Sequence, residues 1–312
     1  MPERRIERVA VLYPGEMGSA LGGALARAGL SVRAFVAERS LRTREAAARA
    51  GILPRESLEA AVADADLVVS LVPPEQALAT ARRFAAALLS GEGPRAPHTA
   101  GSSAQAPLYL EANSIAPAAV REVGRAVARA GALCVDGAIL GSARDLPTRG
   151  RLLLSGEASA RVARALHGAL AVRVVGGALG DASAFKLCFS GFNKAVVAAF
   201  LESLCAAARA GFAEELQAAL RDFYPGTLEA LERQVPSYPR HAARRVAEMG
   251  DVAAWLAELG QARSLAEGAR ATFARVARAG LEAGRDWSLS EVVAELARRG
   301  ALAGEPGAAG RG

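Results

Sequence analysis

Lys186, Ser190, Asn193 and Lys194 are the residues whose types and spacing could do chemistry. Of the 38 basic side chains among 312 residues, 36 are arginine; Lys186 and Lys194 are the only lysines, and both fall in one nine-residue stretch. Asn113 and Asn193 are the only asparagines. In so Ala/Gly/Arg-rich a chain, Lys and Asn persist where another residue does not serve. Arginine stays protonated near neutrality, whereas a lysine releases its proton once its surroundings lower its pKa. At 100° per residue, the four residues span an arc of about 100° on one helix. Such a stripe would exchange a proton at Lys186, hydrogen-bond a substrate through Ser190 and Asn193, and pair an anionic group at Lys194. The plainer alternatives are a solvated helix lysine at 186 and a water-facing one at 194. Phe185, Phe189, Phe192 and Val196 lie on another face and are expected to pack into the core.

A second cluster lies near the N-terminus. An apolar strand-like run at 8–13 leads into Tyr13-Pro14-Gly15-Glu16-Met17-Gly18 and then an apolar helix. Gly15 and Gly18 match the second and third glycines of GxGxxG, with Tyr13 in place of the first. A loop of this kind lets a pyrophosphate approach the helix N-terminus, where free N–H groups and the helix dipole favour an anion. Glu16 fits only if its side chain points away, and a purely structural glycine turn is the alternative. Past the second strand, at 32–37, come Arg39-Ser40-Leu41-Arg42-Thr43-Arg44. Guanidinium and hydroxyl groups at a helix start suit a ribose 2′-phosphate, so Arg39, Ser40 and Arg42 favour NADP over NAD. The strand-end position where an NAD site would carry an acid is about Val36, with Glu38 somewhat beyond it. Ser40 as a helix N-cap is compatible with either reading.

The elements that must position these residues follow from the hydrophobic pattern. Strand-like runs at 8–13, 32–37, 67–72, 108–111, 132–135, 152–155 and 172–175 alternate with helices at 18–28, 40–50 and 118–130. Continuous apolar strands suit a parallel sheet covered on both faces, so the expected fold class is α/β, a Rossmann-type doubly wound sheet. Residues 91–107 read as a long surface loop. After Gly176-Gly177 the strand signal stops, and helices are expected at 181–209, 213–221, 228–234, 239–249, 252–259, 264–280 and 288–299. The organisation is an NADP-binding domain over 1–178, an all-α substrate and dimerisation domain over 179–303, and a frayed tail over 304–312.

Composition narrows the classes. With 52% apolar and 22% charged residues, the chain is neither disordered nor a disulfide-stapled miniprotein. The net charge of +6 comes from arginines scattered among Glu and Ala at helical spacing, a pattern of solvated helix faces rather than nucleic-acid binding. Cys134, Cys188 and Cys205 lack CxxC spacing and fit buried thiols in a reducing cytoplasm. His98, His167 and His241 form no ligand cluster, so no metal is expected. No uninterrupted apolar run approaches 18 residues, and the charged N-terminus is not a signal peptide, so no membrane partner is expected.

On these motifs the chain resembles the β-hydroxyacid dehydrogenase superfamily, which includes 6-phosphogluconate and 3-hydroxyisobutyrate dehydrogenases. Gly15-Glu16-Met17-Gly18 is similar to the end of that family's glycine loop, and Val69-Ser70-Leu71-Val72-Pro73 to a strand end packed near the cofactor. Glu111-Ala112-Asn113-Ser114-Ile115-Ala116-Pro117 is similar to the segment beside the nicotinamide. Val135-Asp136-Gly137-Ala138-Ile139-Leu140-Gly141-Ser142 stands where the family carries a Ser-Gly-Gly substrate turn, and Gly180–Lys186 where it bears its catalytic lysine. The resemblance implies hydride transfer between NADP and a small anionic hydroxy acid or keto acid, with Lys186 as general acid/base. Asn113, Gly141 and Ser142 would orient substrate and nicotinamide, and Val72 and Pro73 would contact the cofactor. It also implies a homodimer with the long helix near the interface.

Three departures stand against the family pattern. Phe189 and Ser190 occupy the positions where an Asn usually follows the lysine, and the Ser-Gly-Gly turn is recast as Leu140-Gly141-Ser142. The helical domain is also too short for a 6-phosphogluconate dehydrogenase. With Arg244-Arg245-Val246-Ala247-Glu248-Met249, it looks more like a branch known only as NAD(P)-dependent oxidoreductases. Arg240, Arg244 and Glu248, at i, i+4 spacing, read as a surface ion-pair ladder or as groups reaching a cleft. The alternatives to a dehydrogenase are an imine reductase-like enzyme, which often replaces the lysine, and a non-catalytic NADP-binding regulatory protein.

Overall fold

A computed structural model describes residues 5–37, 39–63, 65–90, 106–146 and 148–303. Glu38, most of the expected loop at 91–107 and the tail at 304–312 lie outside the described residues. The chain divides into two compact units, Met1–Lys186 and Leu187–Gly312.

The first unit runs β1 (Arg8–Leu12), α1 (Glu16–Arg27), β2 (Ser31–Phe35), α2 (Leu41–Arg49), β3 (Leu53–Arg55), α3 (Leu58–Val62), β4 (Leu67–Ser70), α4 (Ala77–Leu89), β5 (Leu108–Glu111), α5 (Pro117–Ala128), β6 (Leu133–Leu140), β7 (Arg151–Ser155), α6 (Ser159–Leu166) and β8 (Ala171–Gly176). These strands form one sheet in the order β3-β2-β1-β4-β5-β6-β7-β8. Every pairing is parallel except β6 with β7. The central strands β1, β4 and β5 are buried on both faces, which is why they are apolar without alternation. Val9 and Val11 enter one core with Leu21 and Leu25 of α1, while Ala10 and Leu12 enter the other with Phe84 of α4. Strand order reverses between β2-β1 and β4, and at such a switch point the C-terminal strand ends open onto a crevice suited to a ligand. The doubly wound α/β fold is as expected; β3, α3, α4 and α6 are additional to the elements expected from the pattern.

α7 (Asp181–Ala210) begins in the first unit and continues into the second, followed by α8 (Ala213–Phe223), α9 (Pro225–Gln234), α10 (Tyr238–Glu258), α11 (Ser264–Arg278) and α12 (Leu289–Arg298). The helices expected at 239–249 and 252–259 are one, because a single Gly250 costs only about 1 kcal/mol against the packing of its neighbours. The second unit's core joins Val197, Leu201 and Leu204 of α7 to Met249 of α10, Phe273 of α11 and Leu296 of α12.

Two expectations about side chains are corrected. Phe185, Phe189 and Phe192 are not core residues, being 46%, 48% and 73% exposed. Val197, Leu201 and Leu204 continue the angular phase of the Lys186–Lys194 stripe, so the phenylalanines fall roughly on the opposite face. Of the three thiols only Cys205 is buried; Cys134 is half-buried and Cys188 exposed. α7 lacks an uninterrupted apolar run, yet it holds an 18-residue window of mean hydropathy 1.4 and is long and apolar enough, by length and composition alone, to cross a membrane.

Candidate functional site

Within the first unit the candidate residues gather at the C-terminal ends of β1, β4, β5 and β6. Tyr13 leaves β1 at φ 52°, the one non-glycine residue with positive φ among the described residues, and so makes the turn that a first glycine would make. Two contacts hold it: Arg83 Nη1 donates to its hydroxyl at 2.7 Å, and its ring meets Phe35 edge-on at 5.9 Å. Gly15 is the N-cap of α1 and has no side-chain cap. Beyond its chain neighbours, a Cβ at Gly15 would meet no atom within 4 Å, so the space before the helix is open. The first N–H groups of a helix lack intrahelical acceptors, and here they belong to Glu16, Met17 and Gly18. Glu16 is exposed, so its carboxylate has room to turn away.

At the end of β2, Arg39 Nε is buried without a partner. Ser40 caps α2: its Oγ accepts the Thr43 N–H at 3.3 Å and lies 3.0 Å from Thr43 Oγ1. Arg42 is exposed. The open N-terminus of α1 fits the pyrophosphate of a dinucleotide.

Asn113 joins two strand ends. Its Oδ1 accepts the Val72 N–H at 2.6 Å, its Nδ2 donates to Ser70 Oγ at 3.0 Å, and its own N–H donates to Glu111 Oε1 at 3.0 Å. At 4% exposure the Asn113 amide is a clamp that fixes the course of Val72-Pro73. The next residue, Ser114, is exposed, and its Oγ accepts from Lys186 Nζ at 2.6 Å. Lys186 is itself aimed by an anchor one turn earlier in α7. Buried Asp136 accepts from Ser183 N–H at 2.9 Å, Ser183 Oγ at 2.7 Å and Ser155 Oγ at 3.1 Å, while Ser155 Oγ accepts the Ala182 N–H at 3.0 Å. Ser114, Glu111 and Asp136 stood in the motifs read from the sequence but had no role there; the signal was their place beside Asn113 and before the glycine turn.

Gly141 and Ser142 bond within their own turn. Gly141 takes φ 110°, and Ser142 Oγ donates to Asp145 Oδ2 at 2.7 Å. In the second unit, Lys194 is 8% exposed; its Nζ lies 3.0 Å from Glu248 Oε2 and donates to Ser190 Oγ. It therefore does not face water. Burial lowers its pKa, opposed by the Glu248 carboxylate. Arg244 pairs with Glu248 at 3.4 Å, as the ladder reading requires, while Arg240 Nε donates to the Ala283 carbonyl at 2.9 Å. Asn193 Nδ2 donates to Gln234 Oε1 at 2.8 Å. Among the described residues no group of three or more His, Cys, Asp or Glu is gathered as a metal site.

Residues 8–92 match the family described as NADP oxidoreductase, coenzyme F420-dependent, and residues 207–276 match a domain of unknown function, DUF1932. No curated protein matches the sequence. Among solved structures, a conserved protein of unknown function, MTH1747, described as structurally similar to 3-hydroxyacid dehydrogenases, is 29% identical, with 86% of this chain and 96% of that one covered and a TM-score of 0.67. The Mycobacterium tuberculosis 3-hydroxyisobutyrate dehydrogenase with L-serine is 21% identical over 93% of this chain and 99% of that one, with a TM-score of 0.71. An imine reductase from Myxococcus stipitatus in complex with NADP+ is 20% identical over 92% and 98% of the two chains, with a TM-score of 0.59. The resemblance to the β-hydroxyacid dehydrogenase superfamily is thus met in fold and domain order.

Proposed function

We propose that this chain, built on the plan of the 3-hydroxyacid dehydrogenases, is an NADP-dependent oxidoreductase acting on a small anionic hydroxy acid or keto acid, with Lys186 as general acid/base. The coarse conclusion, an NAD(P)-dependent oxidoreductase, rests on the N-terminal family match and on the kinds of protein that share the fold. The finer reading is carried by one observation: the first unit's sole lysine stands at the C-terminal edge of the sheet, 2.6 Å from Ser114 and next to the Asn113 clamp. A bound nicotinamide supplies or accepts the hydride. Around it, the N–H groups at the start of α1 bind the pyrophosphate and Asn113 holds Val72-Pro73 in place. Ser114 keeps the Lys186 ammonium directed, and Lys186 gives or takes the proton on the substrate oxygen. Retention of a lysine here favours carbonyl and alcohol chemistry over imine reduction.

The preference for NADP rests on Arg39. Replacing it with Ala is expected to weaken NADPH binding about 10- to 100-fold, the worth of one charge-assisted hydrogen bond, and to leave NADH binding within about twofold. Calorimetric titration with both nucleotides tests this; equal losses for NADPH and NADH would remove the phosphate assignment.

The exposed Phe189 and Phe192 face of α7 supports a homodimer, since a contiguous apolar patch on a soluble chain marks an interaction surface. Phe189→Glu with Phe192→Glu is expected to convert a dimer to a monomer in light scattering after size exclusion. An unchanged mass would place the dimer contact elsewhere.

A further inference from the structure

We propose that Glu111, rather than Asp136, holds the proton of a buried acid pair at mildly acidic pH and acts as a positioning residue, tying the charge of the pair to the Lys186–Ser114 contact. Glu111 ends β5 and Asp136 stands directly across from it in the parallel register of β6; both are 0% exposed. Two carboxylates at adjacent strand positions in a dry site do not both ionise without large cost. The donors decide which one keeps the proton. Asp136 receives three hydrogen bonds, from Ser183 N–H, Ser183 Oγ and Ser155 Oγ, and lies at the start of α7, where the helix dipole favours an anion. Glu111 receives one, from Asn113 N–H on Oε1, and its Oε2 is buried without a partner. An ionised carboxylate with an empty oxygen in such a site costs more than a neutral acid.

The other groups facing Glu111 do not offset a charge there. Ser70 on β4 is neutral, and burial pushes Tyr109 on β5 and Cys134 on β6 well above neutrality, so Asp136 is the charge it meets. Burial first, and then the Asp136 charge, lift the Glu111 pKa to about 7, against the hydrogen bond from the Asn113 N–H and the nearby Asn113 amide and Ser70 hydroxyl dipoles.

The pair matters because each member holds one side of the site. Asp136 fixes the first turn of α7, from which Lys186 projects one turn later; Glu111 fixes the Asn113 backbone, and Ser114 is the next residue. A second charge on the pair would press these two supports apart. The sign follows from linkage: the folded pKa lies above the unfolded value of 4.5, so stability from the protonated acid is complete below about pH 4.5 and is lost as pH rises through about 7.

The test is an infrared pH titration of the full chain from pH 5 to 9. The expected result is a protonated-carboxyl C=O band that fades near neutrality, shifts when the protein carries 13C-labelled glutamate, and is absent in Glu111→Gln. The thermal midpoint of the wild type should fall from pH 6 to pH 8, and that slope should flatten in Glu111→Gln. NADPH affinity should show the same contrast in slope. No glutamate-dependent band at pH 6, or a Glu111→Gln protein that keeps the wild-type slopes, would overturn the proposal. The link to the cofactor rests on the oxidoreductase reading. If the wild type binds neither NADPH nor NADH, that reading fails, while the infrared band and melting slopes still decide the proton on Glu111.

Discussion

Replacing Lys186 with Met lowers kcat on an accepted substrate by about 10²- to 10⁴-fold, the usual contribution of one positioned acid or base. Met keeps the helix propensity and the apolar stem, and Asp136 still holds the first turn of α7, so the fold survives. NADPH affinity should change far less than kcat, because the pyrophosphate is read at α1. Lys186→Arg separates charge from proton transfer. It keeps a cation able to donate to Ser114 but cannot release a proton near neutrality. Turnover by Lys186→Arg close to that of the wild type would mean that the lysine acts as a charge, not as an acid or base.

Asp136→Ala should be the most damaging substitution for stability. It strands three buried donor groups, Ser183 N–H, Ser183 Oγ and Ser155 Oγ, at the point where α7 starts. Breaking a buried charge-assisted network of this kind costs about 3–5 kcal/mol. For a unit of this size that corresponds to a fall of about 6–20 °C in melting temperature. Differential scanning calorimetry measures it; a drop of less than about 1 kcal/mol, the scale of an ordinary surface change, would show that α7 is fixed by other contacts. Asp136→Asn is the milder companion, since it keeps the shape but changes half of the acceptors into donors.

Much of the first unit was legible because strands such as Leu67–Ser70 are apolar on both faces and are interrupted by glycine and proline. α4 and α6 escaped notice because Ala-rich helices show little contrast between buried and exposed positions. β3 is three residues long and contains a proline, so it has no period to read. The antiparallel run of β7 is written in no side chain; it follows from a connection at 141–150 too short for the crossover that a parallel pair needs. The phenylalanines of α7 misled because hydrophobicity alone does not say which face of a long helix a core will choose.

The site was legible where rarity carried the signal. Lys186 and Asn113 are each one of a pair in the whole chain, and the structure joins their neighbourhoods through Ser114. Glu111 and Asp136 were present in the motifs, but their pairing depends on strand register, which spacing does not disclose. The same holds for Lys194 and Glu248, 54 residues apart and bonded only once α7 and α10 pack. The opposite lesson comes from Ser40, where the expected N-cap is observed, so its hydroxyl alone says nothing about phosphate.

Lys186-dependent hydride transfer is tested most directly by a panel of hydroxy acids, keto acids and imines incubated with the full chain and followed by the absorbance of NADPH. The expected result is consumption of NADPH with a small keto acid, or its production from NADP+ with the matching hydroxy acid, and loss of that signal in Lys186→Met. Turnover restricted to imines and undiminished in Lys186→Met would contradict it.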